Sequence, residues 1–182
     1  MSHVKKSIYA ILPILLLMPL MGFGQNIEQK DSSNTKLISA AREIMHAAGT
    51  CALITLNEKD LPVVRAMSPF LPESDFTVWF GTNPESRKVN EIKKNPNVTL
   101  YYLDSDASGY VMIHGLAQLV DDPKQKEMRW KDEWEDFYPN RTEGYLLIKV
   151  TPQSMEVVSP TRDVIGDAKT WKPPVAFFET KK

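Results

Sequence analysis

After Gly49 the apolar residues stop recurring at helical spacing. The chain breaks into short runs rich in β-branched and aromatic residues, at 51–56, 63–70, 76–81, 98–103, 110–120 and 145–150. Turn chemistry separates them: Asn57-Glu58-Lys59-Asp60, Pro72-Glu73-Ser74-Asp75, and the six residues from Asp104 to Gly109. Six short strands joined mostly by tight turns predict a mainly β fold, an antiparallel barrel with flanking helices. Such a barrel also conceals its own strand edges.

Helices are expected in three places. Before Gly49, residues 35–48 place Leu37, Ile38, Ala41, Ile44, Met45 and Ala48 on one side, with Asn34 as cap and Gly49 as stop. A second helix is expected over 86–94, ended by Asn95-Pro96. A third opens with Asp122-Pro123, a cap followed by proline at the first position, with Gln125 as its partner; it is expected to carry Trp130, Trp134 and Phe137 on one side. From Ser159 onward the sequence is irregular. A tail with Trp171, Phe177 and Phe178 is expected to pack on its own barrel or on a partner subunit.

The first 24 residues read as a segment apart from the fold. Lys5 and Lys6 precede an apolar run from Ile8 to Met21, and Gly22-Phe23-Gly24 offers small residues before a cut ahead of Gln25. That is the order of a secretory signal peptide. The expected organisation is therefore signal peptide 1–24, flexible polar leader 25–34, barrel domain 35–158 and packed tail 159–182. An exported protein, periplasmic or secreted, follows from this, with no membrane association after cleavage. The alternative is an uncleaved N-terminal anchor. Losing residues 1–24 removes Lys5 and Lys6 and moves the net charge from −1 to −3, which favours no nucleic acid. The one cysteine, Cys51, opens an apolar run and reads as a core thiol; with three scattered histidines the chain offers no metal site.

Chemistry concentrates in Thr82-Asn83-Pro84-Glu85-Ser86-Arg87-Lys88, which follows a strand and opens a helix. A helix N-terminus carries unpaired amide hydrogens and favours an anion. A hydroxyl, a guanidinium and an ammonium at that point suit a monophosphate. On spacing alone, a capped surface helix with two solvated basic residues explains the same pattern. The run Val63-Val64-Arg65-Ala66-Met67 adds one cation to an otherwise apolar strand face, either snorkelling outward or serving as a second phosphate ligand. No nucleophile–base set and no pair of catalytic carboxylates stands out. His114 reads as structural or solvent-facing, and no catalytic residue is assigned.

The sequence resembles the pyridoxamine 5′-phosphate oxidase-like family, and within it the general stress protein branch. The likeness is carried by Arg65-Ala66-Met67, Trp79-Phe80-Gly81-Thr82-Asn83, Ser86-Arg87-Lys88, Asn95-Pro96 and Tyr110 to Gly115. It implies a six-stranded split barrel, a homodimer, and FMN rather than FAD bound between subunits. It also implies that Arg65, Arg87 and Lys88 hold the FMN phosphate, that Thr82 and Ser86 add hydrogen bonds, and that the backbone at Ala66 and Met67 runs beside the ring. Tyr110 stands where the oxidases commonly have glutamine and would be reached from the other subunit. The late helix, Met128 to Asp136, is acidic and aromatic where the oxidases are basic, so their own activity is not implied. What remains is a flavin-dependent oxidoreductase of unknown small-molecule substrate, or a flavin-binding stress protein without turnover.

Overall fold

The computed structural model describes residues 23–179 apart from 139 and 141, and side chains from Asn34 onward. The signal-peptide expectation falls on residues outside this range except for Phe23 and Gly24. Those two open α1 (Phe23–Ala48), so the helix runs through the segment read as a flexible leader, and Asn34 lies within it instead of capping it. Among the described residues no helix is long and apolar enough to cross a membrane.

Among the described residues seven strands form one antiparallel sheet: β1 (Cys51–Leu56), β2 (Pro62–Met67), β3 (Val78–Thr82), β4 (Asn97–Leu103), β5 (Tyr110–Val120), β6 (Leu146–Val158) and β7 (Val175–Phe177). The order is β2-β1-β4-β5-β6-β3, with β7 added beside β6. The two ends of this path meet where the Phe70 amide, just past β2, donates to the Trp79 carbonyl on β3 at 2.9 Å. The sheet is thus a split barrel, built from the six expected strands plus a short seventh from the tail.

Alternation fills the interior. Leu53, Leu100, Val111, Ile113, Val150, Met155 and Val157 are fully buried, and α1 adds Leu37, Ala40, Ala41, Ile44 and Met45 at helical spacing. β6 extends eight residues beyond the run visible in the sequence, because Pro152 is accommodated at a register shift opposite Gly115. A Cβ on Gly115 would lie 2.6 Å from the Thr151 carbonyl, so that close approach requires glycine. Cys51 is buried as expected, and burial pushes its thiol up to about 12.

Helix α2 (Arg87–Lys94) follows the expected range closely, while α3 (Pro123–Met128) is shorter than expected. Asp122 caps α3 by accepting from the Gln125 amide at 2.8 Å. Trp134 falls in a separate 3-10 turn (Asp132–Trp134), and Phe137 is exposed instead of sharing a buried helical stripe. Trp134 packs with Trp79, Tyr145 and Leu147 in a second, smaller core, against Gly81. A Cβ at Gly81 would come within 2.5 Å of that indole. The tail packs on its own barrel through Ala176 and Phe178, while Trp171 and Phe177 stay exposed.

Candidate functional site

The polar core of the molecule lies where β1, β2, β3 and the first turns of α2 meet. Arg65 pairs with Leu53 across β1–β2, so its side chain belongs to the inner face. There Arg65 Nη2 donates to Glu91 Oε2 at 2.7 Å and Nη1 to Thr55 Oγ1 at 2.7 Å. The Thr55 hydroxyl in turn donates to Glu91 Oε2 at 2.5 Å. Arg87, one helical turn before Glu91, brings Nε to 3.2 Å from Glu91 Oε1. Lys88 Nζ donates to Thr82 Oγ1 at 3.0 Å, and Thr82 Oγ1 lies 3.0 Å from Ser86 Oγ. Ser86 occupies the N-cap position of α2, yet its hydroxyl makes no capping hydrogen bond. It points instead into the Thr82–Lys88 group.

These side chains also act on one another electrostatically. Burial lowers the Lys88 ammonium below its ordinary value, and the Arg65 guanidinium lowers it further, against the pull of Glu91. Burial raises the Glu91 carboxyl, but the Thr55 hydroxyl, Arg65 and Arg87 outweigh it and hold Glu91 below the usual carboxylate range. Three cations against one ionised carboxylate leave the cluster at net +2. That is the charge complement of a phosphate monoester dianion.

Five of the eight expected site residues, Arg65, Thr82, Ser86, Arg87 and Lys88, are therefore brought together. Ala66 and Met67 continue the same edge strand, where the backbone side away from β1 is unpaired by the sheet. Tyr110 does not join this cluster within the chain. It lies on the outer face of β5, next to the inward Val111, and stacks on Tyr101 with ring centroids 5.3 Å apart. His114 is also on the outer face, exposed, with Nδ1 3.0 Å from Thr99 Oγ1.

Two participants were not anticipated from the sequence. Glu91 was legible only as the i+4 neighbour of Arg87, a spacing common to solvated helical pairs. Thr55 was one hydroxyl in a strand. Neither signal tells that the carboxylate is buried, since burial is decided by where α2 docks.

The model of the pyridoxamine 5′-phosphate oxidase-like family matches residues 36–168, well over half of the chain. This chain belongs to the pyridoxamine 5′-phosphate oxidase-like family. Members of this family generally bind a flavin. General stress protein 26 of Bacillus subtilis is 25% identical over 118 residues, covering 63% of this chain and 81% of that protein. The crystal structure of general stress protein 26 from Bacillus anthracis superposes with a TM-score of 0.61 at 22% identity, over 79% of this chain and 97% of that one. A protein related to general stress protein 26 from Clostridium acetobutylicum gives 0.64 at 22% identity, over 80% and 95%. These structures establish the split-barrel fold. The family's flavin draws attention to the cluster at α2, because a family member with net +2 at a helix N-terminus has the donor set for the phosphate end of such a cofactor.

Proposed function

We propose that this protein binds FMN through the Arg65–Arg87–Lys88 cluster and acts as an exported, homodimeric flavin-dependent oxidoreductase on a small molecule. The observation that carries the reading is the gathering of three cations and two hydroxyls around the start of α2, with a net charge matching a single terminal monophosphate. FMN ends in such a group. FAD carries its phosphates in mid-molecule, which a cluster of this kind fits poorly. A bound flavin supplies the redox chemistry itself. Arg65, Arg87 and Lys88 would bind its phosphate, Thr82 and Ser86 would orient it, and the free edge of β2 at Ala66 and Met67 would lie alongside the ring.

The dimer is supported by the outer face of the sheet. Leu103 is 50% exposed there and lies opposite Tyr110, which stacks on Tyr101. Exposed apolar and aromatic residues grouped in this way suit a subunit interface. A second copy laid on it would also bring Tyr110 toward the ring from across the interface. Export is supported by the charged, apolar and small-residue order of positions 1–24.

The test is the visible spectrum of the purified protein with added FMN, followed by reduction. Flavin bands that survive gel filtration and bleach repeatedly with a reduced nicotinamide in air support the enzyme. Stable bands inert to reductants support the non-catalytic flavin-binding alternative, and protein that retains no flavin refutes both.

A further inference from the structure

We propose that Glu91 is the resident counter-ion of the cation cluster: it anchors Arg65 and lowers the charge of the site to +2 before any anion arrives. This rests on the anion-binding reading above and assigns to the site its selectivity for a dianion.

The geometry separates Glu91 from an ordinary surface partner. Its side chain is 3% exposed and Arg65 is 16% exposed, so the pair is internal. A buried cation without a partner is expensive, and Arg65 has no carboxylate within reach on its own strand. Oxygen Oε2 is saturated by Arg65 and Thr55. Oxygen Oε1 is buried without a hydrogen bond, and Arg87 meets it at 3.2 Å in ionic contact alone. Arg87 is itself 75% exposed. The two arginines are therefore held unequally. Arg65 is fixed by two hydrogen bonds, whereas Arg87 is tethered by charge and can transfer to an incoming anion without breaking a hydrogen bond. Lys88, bonded to the Thr82 hydroxyl, is kept apart from Glu91 and stays available. One buried carboxylate thus restrains the charge of the site, so that the cluster is stable without an anion yet still attracts one.

The variant Glu91→Gln removes the charge and keeps the shape, since an amide oxygen can still accept from Arg65 and Thr55. The probe is inorganic phosphate at low millimolar concentration in a constant chloride background, where general salting-out by phosphate is negligible, read by thermal unfolding of the full protein. Wild type is expected to gain stability from phosphate. E91Q is expected to melt lower in chloride, and to bind phosphate on the order of tenfold tighter because one repelling charge is gone. Its phosphate-dependent rise in Tm is then larger than that of wild type. An equal or smaller rise in E91Q overturns the role of Glu91 while leaving the anion site standing. No rise in wild type overturns the anion site itself. If E91Q does not stay folded in chloride, the comparison is made by refolding: recovery in phosphate but not in chloride supports the proposal, and equal failure in both overturns it. A merely structural pair would lower Tm in chloride without enlarging the phosphate-dependent rise.

Discussion

Two arginines in this molecule each pair with a buried carboxylate, and they have opposite consequences. Arg162, just past β6, donates to Asp104 Oδ2 at 2.6 Å, to Glu43 Oε2 at 2.8 Å and to Ser159 Oγ at 2.9 Å. One cation there meets two carboxylates, and the group ties α1 to the β4–β5 turn and to the segment after β6. Arg65, across the barrel, shares a single carboxylate with a second arginine and has a lysine nearby. Both networks use charge-assisted hydrogen bonds of similar length. The difference is the balance. An excess of acceptors saturates the cation and makes a staple; an excess of cations leaves capacity unspent and makes a receptor for an anion.

That contrast can be broken by substitution. Replacing Arg87 and Lys88 together with alanine should weaken FMN binding by about 3–6 kcal/mol, from about 1.5–3 kcal/mol for each charge-assisted contact. Tm should fall modestly, because Arg87 is largely exposed but Lys88 is half-buried and bonded to the Thr82 hydroxyl; a titration with unchanged affinity would refute their assignment. Arg162→Ala should do the converse. It strands Asp104, which is 3% exposed, and should cost about 2–3 kcal/mol of stability once the partial exposure of the arginine is discounted, measured by denaturant unfolding, with FMN affinity unaltered. The smallest effect is a pH effect. Glu43 lies below its ordinary value of 4.5, chiefly through the hydrogen bond from Arg162. Its folded-state value is depressed, so its contribution is present above that ordinary value and lost as pH falls through the lower, folded-state one. Glu43→Gln should therefore flatten the acid limb of the stability curve, and an identical limb in wild type and variant would show that the staple does not act through this charge.

Much of the fold was legible because period and turn chemistry agree: β1 and β5 match the apolar runs residue for residue, and Asp122-Pro123 starts α3 where the cap pattern puts it. The misses have physical causes. Pro152 reads as a strand end, yet a bulge opposite a glycine carries β6 past it. The aromatic residues after Met128 suggest a continuing helix, but Trp134 is drawn from that path into a pocket of rings beside Gly81. In the site, the cations were readable from composition along the chain, whereas Glu91 was not. A carboxylate four residues after an arginine looks the same whether it faces water or Arg65. Tyr110 was placed by resemblance, and its position on the outer face of β5 means it can serve the cluster only across an interface.

Everything proposed for this protein depends on the cluster at the start of α2 gripping a terminal phosphate. The most direct measurement of that grip is a fluorescence titration of the purified protein with FMN and, in parallel, with riboflavin, which has the same ring and no phosphate. FMN should bind at least about a hundredfold tighter, the return expected from two or more charge-assisted contacts. Equal affinities for the two flavins would contradict it.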